Sequence, residues 1–303
     1  MYKIDTTARY IKHTSIFLYR RYDDTHVKII PRLSVRILPH LFRTRYRLAS
    51  WTKSHKHFGN IIRRIAFSED DMIVLPKDSV VRDISVDISV DSAGDRTVLP
   101  SDIVKEVIRG SDHIFIMNFC LCRKSNRCDD YPVDHGCIFM GKGTERIPKE
   151  FGRMATPDEA IAYIDECSEL GLVHIIGRNK LDSLWLSTGN KKDLMTICNC
   201  CPCCCLWNMV RDISDNIAEC YKRMDSVEVS ANPERCIGCG MCSDICFTKA
   251  INIVGGRCSI SDSMCRGCGR CAEVCPNDAI TLTYDRSIVS SEVERIRSLV
   301  DLK

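Results

Sequence analysis

No cysteine precedes Cys120, although the 303-residue chain holds 21 of them. A secreted disulfide scaffold spreads its cysteines through a short chain behind a signal peptide. Here the N-terminus is charged almost from the start and offers no apolar signal core. Clustered thiols without an export signal predict metal ligands in a reducing compartment, the cytoplasm. No run of 18 apolar residues is present, so no membrane-spanning helix is expected. Neither a P-loop nor a GxGxxG followed by its acidic residue occurs, so the chain shows no nicotinamide, flavin or ATP site of its own. Glutamate is missing from residues 1–66, where fifteen Lys and Arg stand against three Asp. Net charge is only +3, so this +12 segment is balanced by a remainder near −9. Such a split predicts that the segment faces something anionic: an acidic protein, a membrane surface or nucleic acid. Nucleic acid is the weakest of these, because neither a helix-turn-helix nor basic residues interleaved with aromatics is recognisable.

What is present is ordinary in bulk, with 45% hydrophobic and 27% charged residues, and long enough for two domains. The chain divides into a basic segment (1–66), a Cys-rich α+β domain (67–225), a smaller domain holding the last cysteine cluster (226–285) and a terminal helix (286–303). Two prolines in residues 29–42 argue against one long helix there. The alternation of Ile84, Val86, Ile88 and Val90 with polar residues predicts a half-buried strand. Residues 101–109 place Ile103, Val104, Val107 and Ile108 on one helical face, and residues 114–119 read as a buried strand ending at Cys120. Thr156, Pro157 and Glu159 form a helix start with a capping box, and Gly171 its stop. Residues 172–176 and 195–197 read as strands, and residues 208–224 as a connecting helix. Ser291 and Glu294 open a last helix with Val293, Ile296, Leu299 and Val300 on one side.

Eighteen of the cysteines fall in three clusters. The last is an internal repeat. Cys236, Cys239, Cys242 and Cys246 recur at the same spacing as Cys265, Cys268, Cys271 and Cys275, and each set is followed by Ala-Ile, at Ala250–Ile251 and Ala279–Ile280. Three thiolates two residues apart wrap one [4Fe–4S] cubane, and the fourth reaches the other cluster. One cluster is therefore assigned to Cys236, Cys239, Cys242 and Cys275, the other to Cys265, Cys268, Cys271 and Cys246. Gly238, Gly240, Gly267 and Gly269 let backbone amides approach the sulfides. Pairs of CxxC also bind zinc, but two complete four-cysteine repeats argue against zinc here.

The other two clusters are Cys120, Cys122, Cys128 and Cys137, and Cys198, Cys200, Cys201, Cys203, Cys204 and Cys205. Free core cysteines scatter over apolar positions, and these ten do not. Soft thiolates with few carboxylates nearby fit a third iron–sulfur cluster, the favoured reading, or a zinc ion. Both stretches follow a strand, so two strand ends are expected to bring the ten thiols to one rim facing the domain of the last cluster. Adjacent cysteines such as Cys200 and Cys201 point to opposite sides of an extended chain, so the six of the second stretch cannot all serve one metal. The spare thiols would form a redox disulfide or hold substrate. His135 and His174 read as structural rather than as ligands, and Cys167 as core. Cys220 and Cys258 have no partner at ligand spacing.

The C-terminal repeat resembles the bacterial two-[4Fe–4S] ferredoxin family over about sixty residues. That family places Pro after the fourth cysteine of each motif; here Pro276 follows Cys275 but Phe247 follows Cys246. Cys120–Arg123, Cys128, Gly136–Cys137, Gly171–His174 and Ile197–Cys204 are together similar to segments of ferredoxin-domain proteins from anaerobic microbes, a resemblance spanning about residues 98–285. Both resemblances imply electron transfer to or from a partner redox enzyme, and neither supplies a substrate. Two rival readings stay open: an oxidoreductase subunit whose central cysteines are the active site, and an iron–sulfur regulator whose basic segment binds nucleic acid.

Overall fold

A computed structural model describes residues 44–83 and 99–303. The strand expected over residues 84–90 and the proline-bearing stretch 29–42 lie outside the described residues. Among the described residues two helices come first, α1 (Arg45–Ser54) and α2 (Lys56–Ala66). They are rich in Arg and Lys but pack on the body of the protein. Ala49 and Thr52 are buried, Ser214 N donates to Thr52 Oγ1 at 3.1 Å, and Arg63 Nε donates to the Asn216 carbonyl at 2.7 Å.

After β1 (Asp71–Val74) and β2 (Val81–Asp83), α3 (Pro100–Arg109) buries Ile103, Val104, Val107 and Ile108, the face its spacing predicts. β3 (Ile114–Met117) is buried at every position and delivers the chain to α4 (Leu121–Asn126). β4 (Ile138–Met140) and β5 (Gly152–Met154) lead to α5 (Pro157–Glu169). The start of α5 is fixed by the reciprocal box: Glu159 N donates to Thr156 Oγ1 at 3.3 Å, and Thr156 N donates to Glu159 Oε2 at 2.8 Å. β6 (Val173–Arg178), α6 (Lys180–Leu186) and β7 (Met195–Cys200) follow.

Residues 208–224 do not form the expected helix. A 3₁₀ segment covers Leu206–Arg211, α7 covers Asp215–Ala218, and Tyr221–Arg223 is a strand, β8. The apolar spacing that suggested a helical face arises because Met209, Val210, Ile213 and Ile217 are buried from successive turns, while Tyr221 joins the main sheet. Burial is shared, but helical periodicity is not its source.

The main sheet runs β5-β3-β4-β7-β6-β1-β8. Its neighbours pair antiparallel except β1 with β8. Alternation along β1 assigns its two faces to two cores: Ile73 joins α3 and α5, while Met72 and Val74 join α1 and Trp207. The C-terminal module comprises β9 (Glu228–Ala231), α8 (Met241–Ile245), the hairpin β10 (Ile251–Val254) and β11 (Arg257–Ile260), α9 (Arg270–Glu273) and β12 (Ile280–Tyr284). β12 lies between β9, antiparallel, and β2, parallel, so a strand from upstream completes the module's sheet. The last helix, α10 (Val289–Arg297), starts two residues ahead of Ser291 and buries Val293 and Ile296 in the core of α3. The chain is thus α+β, with helices on both faces of a largely antiparallel sheet.

One glycine is decisive for the sheet. Gly177 on β6 has φ +150°, and a Cβ there would lie 1.9 Å from the Asp71 carbonyl oxygen on β1. Backbone, not a movable side chain, is the obstacle. Gly177→Ala is expected to destabilise the fold by roughly 3 kcal/mol, the scale of overpacking plus backbone strain. The check is a denaturant midpoint on protein purified without oxygen; a loss under about 0.5 kcal/mol, typical of neutral surface changes, would show that β1 can shift.

Candidate metal centres

In the C-terminal module the two cysteine motifs are interleaved in space. One cavity is lined by Cys236, Cys239 and Cys242 together with Cys275. A second is lined by Cys265, Cys268 and Cys271 together with Cys246. The repeat extends to backbone detail. Gly240 and Gly269 each have φ +85°, and Lys249 and Asp278, three residues beyond each fourth cysteine, are also left-handed at +56° and +45°. That bend turns Ala250 N onto Cys246 Sγ at 3.3 Å and Ala279 N onto Cys275 Sγ at 3.2 Å. N–H groups aimed at sulfur favour the thiolate and tune a bound cluster. Cys258, without a partner by spacing, is folded by the β10–β11 hairpin onto the first cavity. Its N–H meets Cys236 Sγ at 3.3 Å and its Sγ lies 3.9 Å from Cys242 Sγ. Burial pushes its thiol up to about 12.

The two cavities differ in surroundings. The first motif faces outward, with Cys239 exposed and Ile237 64% exposed. The second is turned inward. Cys268 packs against the core that holds Trp207 and Tyr221, and its carbonyl accepts from Lys77 N at 3.3 Å. Arg270, 4% exposed, donates through Nη2 to the Cys200 carbonyl at 2.5 Å. Its guanidinium stands 5.9 Å from the Phe247 ring centroid. Phe247, the departure from proline, is therefore a buried platform under the cation that joins the two halves.

The ten central thiols, expected at one rim, are sorted into two groups about Arg123. Each group draws on both stretches. Cys128, Cys201, Cys203 and Cys204 place all four Sγ atoms within 4.8 Å of one another. Cys128 and Cys203 are 3.4 Å apart, and Cys203 and Cys201 3.6 Å. A tetrahedral ion with metal–sulfur bonds of about 2.3 Å requires sulfur–sulfur edges of about 3.8 Å, so this group has the dimensions of a single-ion site. The second group is a row rather than a tetrahedron. Cys137 and Cys198 Sγ are 3.9 Å apart, Cys200 and Cys205 3.0 Å, while Cys198 also hydrogen-bonds Cys200 and Cys120 hydrogen-bonds Cys122. Among the described residues its six thiols give no compact foursome. The division follows from strand pleating. Cys198 and Cys200 share one face of β7, Asn199 takes the other, and the chain turns after Cys200, sending Cys201 to the other group.

Between the groups lies Arg123, fully buried on α4. It donates to the Asn199 carbonyl at 2.9 Å and to the His135 carbonyl. Burial opposes its charge, but Cys120, Cys201 and Cys137 more than offset this and raise its pKa. In return it supports thiolates. The Cys122 hydrogen bond, with Arg123 assisting, brings Cys120 down to about 7 against burial. Hydrogen bonds from Cys198 and Cys205, with Arg270 and Arg123 behind them, hold Cys200 well below the usual thiol range. Their partners Cys122 and Cys198 are pushed the other way by the same hydrogen bonds and by burial.

The two histidines are engaged elsewhere. His174 is buried between Ser168 Oγ and Asn199 Oδ1, at 2.8 Å each. His135 is tied to Asp134 and Glu166 at 3.0 and 2.9 Å and stacks on Tyr163. Cys167 is core, beside Cys201 and Cys204, and Cys220 is buried against the Phe67 carbonyl. Reading by spacing gave no role to Arg123 or Arg270. The visible signal for Arg123 was a cation directly after a CxC pair.

Residues 229–252 and 259–281 match the 4Fe-4S binding domain family, so the C-terminal module is a 4Fe–4S binding domain. No curated protein and no solved structure matches the chain. No helix among the described residues is long and apolar enough to cross a membrane.

The compact foursome generates a direct expectation. Protein purified without oxygen should hold one tightly bound zinc or iron ion per chain in addition to any iron that comes with sulfide. Cys203→Ser, at an exposed position, should reduce that ion to a minor fraction while the sulfide content stays. Elemental analysis with acid-labile sulfide decides it; full retention of the ion in the variant would remove Cys203 from the site.

Proposed function

We propose that the chain is an iron–sulfur electron-transfer protein that relays low-potential single electrons through two [4Fe–4S] clusters to or from a partner redox enzyme. The observation that carries this reading is the pair of four-thiol cavities, each completed by the other motif's last cysteine, with the inner one joined to the central thiols through Arg270. The residues fit the group. Each cavity offers at least four soft donors, sulfur-directed N–H groups supplement them, and no carboxylate lines either one. When bound, such clusters take up and release one electron at a time.

The protein's own residues give the relay a direction in space. Cys239, Ile237 and Met241 present the outer motif to solvent and to a docking partner. Lys77, Arg270 and Phe247 seat the inner motif against the central domain, where the row of six thiols follows. In this reading the compact foursome holds a structural ion, and the row, being more extended, suits a further iron–sulfur cluster.

Two variants test the reading on protein purified and kept anaerobic. Cys246→Ala should damage the cluster held by Cys265, Cys268 and Cys271 and spare the other, as read by iron and sulfide content and by EPR of the reduced protein. Loss confined to the cluster of Cys236 would refute the crossed ligation, and absence of sulfide from the parent protein would refute the relay. Arg270→Gln removes a buried cation beside the inner motif. It should lower that cluster's midpoint potential by tens of millivolts, a tenfold change in a one-electron equilibrium being about 59 mV. An unchanged potential would show that Arg270 only holds the domains together.

A further inference from the structure

A cavity of about 490 Å³ lies between the α1–α2 pair and the main sheet. Its volume is that of a small-molecule site. It is a cleft open to solvent on one side, with a largely apolar lining. Phe119, Phe139, Trp185 and Trp207 supply aromatic walls, and Cys122, Cys137 and Cys198 of the six-thiol row form part of the lining.

The lining limits what can enter. Its two charged side chains are already committed. Arg45 donates to Asn126 Oδ1 at 3.0 Å and to the Tyr46 hydroxyl. Asp182 accepts from Asn179, Trp185 and Thr196 at 2.9, 2.9 and 2.8 Å. A phosphate or carboxylate would have only Arg45, already bonded to Asn126 and Tyr46, to set against its charge, with the Asp182 carboxylate in the same wall. The fitting ligand is neutral, apolar and flat enough for aromatic walls. The lining also includes Leu48 and Leu184, which are 49% and 50% exposed and so lie towards the mouth. On the same helix pair Trp51, Ile61 and Ile65 are more than half exposed, among Arg47, Lys53, Lys56 and Arg64. An apolar surface studded with basic residues is the composition of an interfacial segment, and suits a molecule that partitions into lipid.

We infer that this cavity binds a neutral, lipid-soluble acceptor of the quinone class, with its ring against the thiols of Cys122, Cys137 and Cys198. The inference rests on the relay reading for its electrons. A quinone takes two electrons, delivered singly from a low-potential donor that is oxidised by one electron each time, and two protons from water; it leaves as the hydroquinone. Cys198 is two residues from Cys200, whose carbonyl receives Arg270, so the cavity stands at the inner end of the proposed path.

The test uses the full chain, purified without oxygen with its cofactors, and menadione as probe. Equilibrium dialysis should show one saturable site per chain. Leu48→Glu and Leu184→Glu, which put a carboxylate at the apolar mouth, should each weaken binding about tenfold or more, while Leu48→Met retains it. Iron and sulfide content should be unchanged in all three. Menadione should also reoxidise the pre-reduced protein with a rate that saturates over the same concentrations. Absence of saturable binding overturns the inference. Binding indifferent to both carboxylates overturns it as well. A protein that carries and reduces its clusters yet binds no menadione fails this inference alone. One that binds menadione without acid-labile sulfide fails the relay instead.

Discussion

The central domain is organised around a charge that has no access to water. Arg123 is the largest fully buried side chain in the described structure. Removing a guanidinium from water costs several kcal/mol unless it is paired and hydrogen-bonded. Its partners come from three places distant in sequence: the Asn199 carbonyl on β7, the His135 carbonyl in the loop before β4, and the sulfurs of Cys120 and Cys201. α4, β7 and that loop are thereby held in one arrangement, and with them both thiol groups. The dependence is mutual. Buried thiolates without a cation would be as costly as the cation without thiolates, so fold and ligand sets stand or fall together.

Arg270 repeats this logic at the junction of the two halves. Its buried guanidinium bonds the Cys200 carbonyl and sits over Phe247. A proline in place of Phe247 would stiffen the loop but offer no ring beneath the cation. The missing proline thus has a positive content: Cys246, which Phe247 follows, reaches the inward cavity, whereas Pro276 follows the cysteine that reaches the outward one. β2 adds the complementary tie from the other side by pairing with β12.

Much of this was legible in the sequence, and the limits have physical causes. Capping chemistry is local, so Thr156 and Glu159 announced α5 to the residue. Ligand spacing is local too, which is why the repeat from Cys236 to Cys275 could be read without coordinates. The separation of Cys200 from Cys201 also followed from strand geometry. How Cys128 leaves its own stretch to join Cys201, Cys203 and Cys204 did not, because it depends on α4 ending at Arg127 in a left-handed turn, φ +51°, that no glycine signals. The helix expected over residues 208–224 failed for a related reason. Apolar spacing records burial, and Tyr221 is buried by pairing beside β1 rather than by a helical face.

The duplicated motif shows how one sequence pattern acquires two characters. Its copies agree in backbone to the left-handed residues and the N–H···S contacts, so the difference between them must come from outside the repeat. At Cys236 the neighbouring cation is Arg257, which bonds the Cys236 carbonyl, and Cys239 of the same motif is exposed. At Cys265 the neighbour is Arg223, half-buried and paired with Asp262, and at Cys268 it is Arg270, which is buried. Burial disfavours added negative charge and nearby arginines favour it, so the two effects oppose one another at the inner site. In a low-dielectric wall a fixed cation acts more strongly than it would in water, and the same wall screens it less from the sulfurs. The balance at the inner motif is therefore set by residues that the central domain positions, which makes the ferredoxin-like module electrostatically incomplete without the domain that precedes it.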